Sequence, residues 1–193
     1  MAARRPTVAE QPEGLEYVPD FVSPAEEAAL LSELERIDFR EVQMHGRTAR
    51  RTVAHFGYDY DYESWRLVPA QPLPDSFAGL RERCAALIGA APEELLEALA
   101  TRYPPGATIG WHRDAPMFGP KVVGVSLLSA CRMRFQRTVG EARQVHELEL
   151  APRSAYVLGG AARSSWQHSI PPTSGLRYSI TFRTLRNPSR WQR

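Results

Sequence analysis

The sequence has 193 residues, a formal net charge of +2 and 43% hydrophobic residues. This length is most simply one domain with a substantial core, and these proportions are typical of a soluble globular protein. The two cysteines, Cys84 and Cys131, are too few for a disulfide framework and form no CxxC pair, so we expect a reducing, cytoplasmic setting. The longest apolar stretch, VVGVSLLSAC, is about half of the roughly 20 residues that a membrane span needs, so no contact with a membrane is expected.

The front of the chain is predicted to be mainly helical. Residues 1–14 contain arginines but no apolar segment after them, so we expect a flexible leader and no secretory signal. Ser23-Pro24-Ala25-Glu26 is a capping box with proline at the first helical position, and leucines follow it at helical spacing. The helices predicted here cover 24–37, a segment that begins near Asp75, and a short segment from Pro92 to Leu96.

The back of the chain is predicted to consist of strands. Short runs of β-branched, aliphatic and aromatic residues are separated by Pro, Gly and polar turns, with no helical segment alternating with them. The predicted strands are 99–103, 109–112, 122–129, 131–137, 143–150, 154–158, 166–170 and 177–184. Eight such strands suggest a sandwich or barrel, and we expect a jelly roll with a small-molecule site at its open mouth.

The segment WHRDAPMFG places a histidine and a carboxylate two residues apart. On a strand, residues i and i+2 point to the same face, so His112 and Asp114 would project together. His168, on a distant predicted strand, would complete a set of two histidines and one carboxylate. Such a facial triad binds ferrous iron and leaves three coordination positions free, although a zinc hydrolase could use the same ligands. The alternative is that these are unrelated polar residues at strand ends.

A second pattern follows in GLRYSITFRTL. Arg177 and Arg183 are six residues apart and share a strand face with Ser179 and Thr181, while apolar residues take the opposite face. Two arginines that point into a jelly roll need anionic partners, because unpaired buried charge is costly. Asp114 could supply part of that negative charge and a dicarboxylate cosubstrate the rest. The alternative is an edge strand with both arginines in water.

Residues 99–185 resemble the AlkB family of iron(II)- and 2-oxoglutarate-dependent dioxygenases. The matching pieces occur in the family's order and are RYPPGATIGWHRD, FGPKVVGVSLLS, LAPRSAYVLGGAARSSWQHSI and RYSITFR. The resemblance implies a double-stranded β-helix, the jelly roll already predicted, flanked by helices in an α+β arrangement. We therefore expect one dioxygenase domain over 15–193, with a helical front and possible substrate lid at 15–98 and the catalytic core at 99–185.

The resemblance also implies roles for individual residues and three reactants: Fe(II), 2-oxoglutarate and O2. The implied iron ligands are His112, Asp114 and His168. Arg177 would pair with the far carboxylate of 2-oxoglutarate, and Arg183 would lie nearer the metal, close to Asp114. Tyr103 matches a tyrosine that hydrogen-bonds the cosubstrate, whereas Thr101 and Ser179 stand where the family has asparagines. Both keep a hydroxyl group but reach less far, and both are expected in the pocket.

Substrate contacts are expected mainly in the front region, in HGRTARRTVAHFGYDYDYESW. Arginines fit phosphates, and aromatic faces stack on unpaired bases. The predicted contacts are Arg50, Arg51, Phe56 and Tyr58, together with Trp111 beside the metal ligands. The aromatic residues alternate from Phe56 to Tyr62, so a strand would present them on one face, with Trp65 beyond it. The alternative is a hairpin that packs aromatics on the core and leaves its arginines solvated.

Three functions are compatible with these residues. The resemblance favours oxidative demethylation of N-alkylated bases in single-stranded or flipped-out nucleic acid by a monomeric enzyme. The second is a dioxygenase of the same fold that acts on tRNA, a protein or a small molecule. The third is a jelly-roll binding module or isomerase in which the metal is structural or absent, and the arginine pair argues against it.

Overall fold

The computed structural model describes residues 7–8, 10–44, 47–61 and 66–186. Fourteen strands lie within these residues: β1 (Thr7–Val8), β2 (Leu15–Val18), β3 (Arg40–Met44), β4 (Arg47–Phe56), β5 (Tyr58–Asp61), β6 (Arg66–Pro69), β7 (Leu95–Tyr103), β8 (Ile109–His112), β9 (Phe118–Leu127), β10 (Cys131–Val139), β11 (Ala142–Leu150), β12 (Ser154–Leu158), β13 (Gln167–Ile170) and β14 (Arg177–Leu185). The helices are α1 (Pro24–Leu34), α2 (Ala78–Ile88) and α3 (Gly160–Ser164), with 3₁₀ turns at Asp75–Phe77 and Pro92–Glu94. No helix in this part of the chain is long and apolar enough to cross a membrane.

Two facing sheets form the body of the molecule and confirm the predicted jelly roll. The larger sheet has the strand order β2-β12-β9-β14-β7-β4-β3, and the smaller has the order β1-β11-β10-β13-β8. Neighbouring strands are antiparallel, except that β1 runs parallel to β11. All eight strands predicted in the back of the chain are present, with ends that shift by a few residues.

The front region is less helical than its sequence predicts. The helix expected over 24–37 ends at Leu34, because the next turn tightens: the amides of Arg36 and Ile37 bond to carbonyls only three residues back. The helix expected from Pro92 to Leu96 is wrong beyond a single 3₁₀ turn. At Leu95 the chain enters β7, which pairs with β14 on one side and with β4 on the other, and this pairing outweighs local helix preference.

Part of the expected leader at 1–14 is bound to the fold. Thr7 and Val8 pair with β11. Farther along, the carbonyl of Glu13 accepts a hydrogen bond from the Ala162 amide at 2.9 Å, and the carbonyl of Gly14 accepts one from the Gly159 amide at 2.7 Å. These contacts fix the chain ahead of β2 against the segment that precedes β13.

The two faces of the larger sheet serve different purposes. One face packs against α1 and α2 in an apolar core, to which β14 contributes Tyr178, Ile180 and Phe182. The residues between them on β14 point to the inner face, towards the smaller sheet. The alternation predicted for GLRYSITFRTL is therefore present, and it places the polar side chains of β14 between the sheets.

A glycine gives one bulky side chain room to lie across the larger sheet. Tyr156 of β12 is the register partner of Gly124 in β9, and a Cβ at Gly124 would overlap the Tyr156 ring. The ring therefore lies flat over the glycine backbone on the inner face. Burial raises the pKa of Tyr156 to about 12, so this phenol stays protonated at neutral pH.

The hairpin β5–β6 forms its own two-stranded sheet beside the main body. It begins at Gly57, whose φ of +75° is a left-handed conformation that favours glycine. The Gly57 amide donates to the Gln71 carbonyl at 2.8 Å, and the Gly57 carbonyl accepts from the Ala70 amide at 3.0 Å. These two bonds close the base of the hairpin where it leaves β4.

Candidate active site and metal centre

Three potential metal ligands meet between the two sheets. His112 ends β8 and is the register partner of His168 in β13, so the two imidazoles lie side by side with ring centroids 4.2 Å apart. Asp114 follows two residues after His112. One ligand atom from each of the three residues lies within 4.8 Å of the others. The two strands and the HxD spacing therefore converge on one point, with the geometry that a single ion requires.

A backbone carbonyl fixes the orientation of His112. Its Nδ1 lies 2.9 Å from the Gly110 carbonyl oxygen. A carbonyl only accepts hydrogen bonds, so Nδ1 carries the proton and Nε2 is left with a free lone pair. Carbonyl or carboxylate partners of this kind commonly set the tautomer of metal-binding histidines.

The local electrostatics keep two of the ligands in the form that binds a metal. Burial, helped by the neighbouring His112, lowers the pKa of His168 to about 3, although the Asp114 carboxylate acts to raise it. For Asp114, burial acts to raise the pKa, but Arg183, His168 and His112 outweigh it and the pKa falls to about 2. At neutral pH the imidazole is therefore neutral and the carboxylate ionised, as metal coordination demands.

Arg177 presents an unsatisfied guanidinium at the inner face of β14. The side chain is only 1% exposed. Its Nε donates to the Ser126 hydroxyl at 3.0 Å, and its guanidinium carbon lies 4.9 Å from the centre of the Tyr103 ring. Among the described residues, neither Nη1 nor Nη2 has a hydrogen-bond partner. A buried fork of two free donors is costly when empty and matches the two oxygens of a carboxylate.

The other predicted cosubstrate residues share this face. Tyr103 is the register partner of Arg177, and Thr101 is the register partner of Ser179. All four residues are buried. The strand pairing of β7 with β14 therefore lines one wall of the site with a phenol, two hydroxyls and the Arg177 fork.

Arg183 bridges the metal site to a residue that the sequence analysis missed. Its Nη1 donates to both carboxylate oxygens of Glu97, at 3.1 and 3.0 Å, and its Nη2 lies 3.5 Å from Oδ1 of Asp114. Glu97 is 1% exposed and also lies 3.6 Å from Nδ1 of His55. The even spacing of Glu97 from Thr101 and Tyr103 places it on their face of the strand and could have identified it. However, the predicted helix ended at Leu96 and the predicted strand began at 99, so position 97 belonged to neither.

A second missed residue supports the loop that carries Asp114. Arg163 of α3 is buried and donates from Nη1 to the Asp114 carbonyl at 3.1 Å and from Nη2 to the Ala115 carbonyl at 2.9 Å. These bonds hold the backbone just after the metal ligands. Nothing in the surrounding AARSSW motif signals this role, because the contact depends on where α3 packs against the loop.

The predicted substrate residues of the front region are distributed over different environments. Arg50 and Arg51 line a groove of about 310 Å³ together with Thr108 and Gly110, and Arg51 Nη1 donates to the Thr108 carbonyl at 3.5 Å. We call this the β4 groove. It lies against the turn that leads into β8, and therefore beside the strand that ends in His112.

The aromatic run does not form one exposed face, and the prediction for Phe56 is wrong. Phe56 is 2% exposed and packs against Phe77 in the helix-side core, with ring centroids 5.9 Å apart. Gly57 then breaks the strand alternation, so Tyr58 turns elsewhere and packs in a small cluster with Ala115, the residue after Asp114. Tyr62 and Trp65 lie outside the described residues.

Trp111 does not face the metal ligands, which corrects the expected position of its side chain. Its neighbour His112 points inward, and Trp111 points to the outer face of the smaller sheet. There the guanidinium carbons of Arg134 and Arg143 lie 5.1 and 5.8 Å from the centre of its ring. A direct contact between Trp111 and a group held at the metal site is therefore excluded by the direction of the side chain.

Comparisons with known proteins agree with this geometry. The 2OG-Fe(II) oxygenase superfamily matches residues 14–183. The mouse protein tRNA (carboxymethyluridine(34)-5-O)-methyltransferase ALKBH8 is 32% identical over 173 residues, which are 83% of this chain and 24% of that protein. The zebrafish protein "Probable RNA/DNA demethylase ALKBH6" is 30% identical over 142 residues, or 70% of this chain and 55% of that protein.

The fold is also shared with a solved structure. The structure of OsALKBH1 superimposes with a TM-score of 0.70 at 14% identity, covering 91% of this chain and 98% of that one. At this identity the likeness concerns the fold alone. The chain spans 24% of the mouse relative and 55% of the zebrafish relative, so most of the former and nearly half of the latter lie outside the similarity.

The pairing of Glu97 with Arg183 yields a first testable prediction. Glu97→Gln removes the charge that balances a buried guanidinium and should lower the free energy of unfolding by about 3 kcal/mol, measured by urea denaturation. Glu147→Gln is the matched control, because Glu147 makes exposed ion pairs with Arg132 and Arg134. Its cost should stay below about 1 kcal/mol. Equal effects of the two substitutions would contradict the structural role of Glu97.

The low pKa of His168 yields a second prediction for the metal-free protein. The folded state resists protonation of His168 down to about pH 3, whereas an unfolded histidine titrates near 6.5. Protons therefore favour the unfolded chain, and the free energy of unfolding should fall as pH drops below 6.5, by up to about 1.4 kcal/mol per pH unit. Urea denaturation in chelator between pH 7.5 and 5 measures this slope. His168→Gln should make the slope shallower, and an unchanged slope would refute the assignment.

Proposed function

Because the chain belongs to the AlkB family of 2OG-Fe(II) oxygenases, we propose that it oxidatively demethylates N-alkylated bases in nucleic acid. The observation that carries the oxygenase part is the buried, unsatisfied fork of Arg177 between the sheets that also hold His112, Asp114 and His168. A metal triad alone could serve hydrolysis. A carboxylate receptor built beside the triad is what an oxygenase with a dicarboxylate cosubstrate requires.

The residues of the site fit the family's cofactors. Two histidines and one carboxylate are the donor set of non-haem iron(II) oxygenases, and within the described part of the chain Nη1 and Nη2 of Arg177 have no partner that would compete with a carboxylate. Iron(II), with 2-oxoglutarate and O2, supplies the oxidising power to insert oxygen into a C–H bond such as that of an N-methyl group. His112, Asp114 and His168 would hold the iron.

The protein's own contribution is binding and orientation. Arg177 would bind the far carboxylate of 2-oxoglutarate bidentately, and the Tyr103 ring beneath the guanidinium would hold its plane. Thr101 and Ser179 would offer hydroxyl groups along the same wall. Arg183 would keep Asp114 ionised and aligned, and Arg163 would fix the backbone of that loop.

The choice of nucleic acid rests on the front region and on the relatives. The β4 groove carries two arginines beside the strand that ends in His112, which suits the phosphates that flank a target base. Tyr58 packs against the cluster that includes Ala115, the residue after Asp114, and is a candidate wall for that base. The zebrafish relative's name, a probable RNA/DNA demethylase, supports the same substrate class. Acting on a base requires that it leave the stack, so single-stranded substrates should be preferred.

We also propose that the protein acts in the cytoplasm. Both cysteines, Cys84 and Cys131, are free and buried, and burial raises the pKa of each thiol. Unpaired thiols of this kind are usual in a reducing compartment.

The cosubstrate role of Arg177 is tested by exchanging one cation for another. Arg177→Lys keeps the charge but loses the fork, so the 2-oxoglutarate concentration for half-maximal succinate formation should rise by about tenfold or more. Arg132→Lys, on the exposed outer face of β10, is the matched control and should leave it unchanged. An unaltered requirement in Arg177→Lys would show that another group binds the cosubstrate.

The function itself is tested with a panel of short oligonucleotides, DNA and RNA, that each carry one N-methylated base. Formaldehyde and succinate should be released in equal amounts with at least one substrate, faster from single strands than from duplexes. His168→Ala should release neither while keeping the circular dichroism spectrum of the wild type. Succinate formation that no oligonucleotide stimulates would instead assign the enzyme to a protein or small-molecule substrate.

A further inference from the structure

A second groove lies beside β8; it is lined mainly by outer-face residues of the smaller sheet such as Trp111 and Arg143, while Arg137 belongs by register to the Phe135 face of β10. Its volume is about 610 Å³, and its lining includes Trp111, Arg113, Gln136, Arg137, Arg143 and Gln167. We call it the outer groove. Three of its lining side chains are arginines, and no acidic side chain of the described residues lines it. The groove is therefore a concentrated positive surface in a protein whose net charge is only +2.

Two of the three arginines of this groove lie over aromatic rings. The guanidinium carbon of Arg143 lies 5.8 Å from the centre of the Trp111 ring, and that of Arg137 lies 4.6 Å from the centre of the Trp166 ring. Arg137 also donates from Nε to Gln144 at 2.7 Å. Contacts of this kind fix the plane of a guanidinium while leaving edge N–H groups available, so little side-chain entropy is lost when an anion binds.

The floor of the groove contains a polar atom that lacks a partner. Gln136 Nε2 donates to Gln167 Oε1 at 2.9 Å, which leaves Gln136 Oε1 buried without a hydrogen-bond partner among the described residues. A buried amide oxygen in this condition favours a ligand that brings a donor. The exocyclic amines and ribose hydroxyls of nucleotides are donors of this kind.

The position of β8 connects this groove to the catalytic site. In the smaller sheet, β8 is the edge strand. Its last residue, His112, points inward, and Trp111 points outward. A nucleic-acid strand bound at the metal triad therefore has to pass over only β8 to reach the outer face of the smaller sheet. The β4 groove, which Gly110 of the same strand also lines, lies on the near side of that crossing.

We propose that the outer groove binds the phosphodiester backbone of the nucleic-acid strand that flanks the base held at the metal triad. The strand would run from the β4 groove over the edge of β8 and place its phosphates against Arg113, Arg137 and Arg143. Trp111 then acts as a support for flanking nucleotides outside the catalytic mouth, and not as a contact to the target base. This inference rests on the proposed function, because it takes nucleic acid as the substrate.

The test compares Arg143→Glu with wild type, using the full chain under nitrogen to prevent turnover. The probe is a fluorescent 15-nucleotide single strand with one central 1-methyladenine, and binding is measured by anisotropy. Arg143 is exposed and lies on β11, away from the ligands, so the fold and the basal succinate formation should be unchanged. The dissociation constant should rise by about tenfold, with a shallower dependence on salt, because a charged phosphate contact is lost.

Two controls separate the groove from general electrostatics. Arg132→Glu makes the same charge change on the same sheet face, but Arg132 pairs with Glu147 and does not line the groove. It should alter binding by less than about twofold, as expected for an exposed ion pair. A trinucleotide centred on the methylated base, measured as a competitor, is too short to cross β8 and should bind all three proteins equally.

The possible results distinguish the two levels of the proposal. If the wild type binds the 15-nucleotide strand and Arg143→Glu binds it equally well, the outer groove is refuted and the proposed function stands. Equal weakening by Arg132→Glu, or equal weakening for the trinucleotide, would also refute the groove. If the wild type binds neither oligonucleotide, both the groove and the nucleic-acid substrate are refuted.

Discussion

The buried guanidinium of Arg183 is the group on which the rest of the inner face depends. It lies between Glu97 and Asp114, so a cation from β14 joins a carboxylate from β7 to the loop that carries a metal ligand. Removing any of these charges leaves the others buried and uncompensated, which costs far more than an exposed pair would. This constraint keeps Asp114 ionised and directed at the two histidines, and it couples the alignment of the metal site to the register of β7 and β14.

The register of β7 and β14 also explains how one face of the larger sheet packs in the core while the other face carries polar side chains. Alternate residues of β14 enter the helix-side core, and the residues between them carry the site's polar groups. A shift by one residue would bury the arginines among leucines and expose the aromatics to the cavity. The apolar face therefore does more than stabilise the fold, because its packing against α1 and α2 determines which side chains face the space between the two sheets.

Much of the site could be predicted from local spacing, because β-strands alternate. The HxD pair, its partner histidine and the even interval from Arg177 to Arg183 all follow from that rule, and the same rule applied to Trp111 would have turned it away from the ligands. Glu97 has the same even spacing from Thr101 and Tyr103, but the turn at Pro92–Glu94 resembles a helix start and conceals it, and its partner Arg183 is 86 residues away. Phe56 shows a second limit of prediction from spacing. An aromatic residue in an alternating run can belong to a base-stacking surface or to the core, and the sequence does not distinguish them. In the fold, packing against Phe77, in the turn before α2, places Phe56 in the core.

The hairpin β5–β6 has a consequence for how such an enzyme can diversify. Among the described strands it pairs with neither main sheet, and two backbone hydrogen bonds at Gly57 close its base. Backbone bonds do not depend on side-chain identity, so exposed positions of the hairpin such as Val68 can change while β4 and β7 keep their register. Such changes do not alter the strands that carry His112, His168 and Arg177. The fold therefore separates the strands that carry the potential metal ligands from a hairpin whose exposed positions are free to vary.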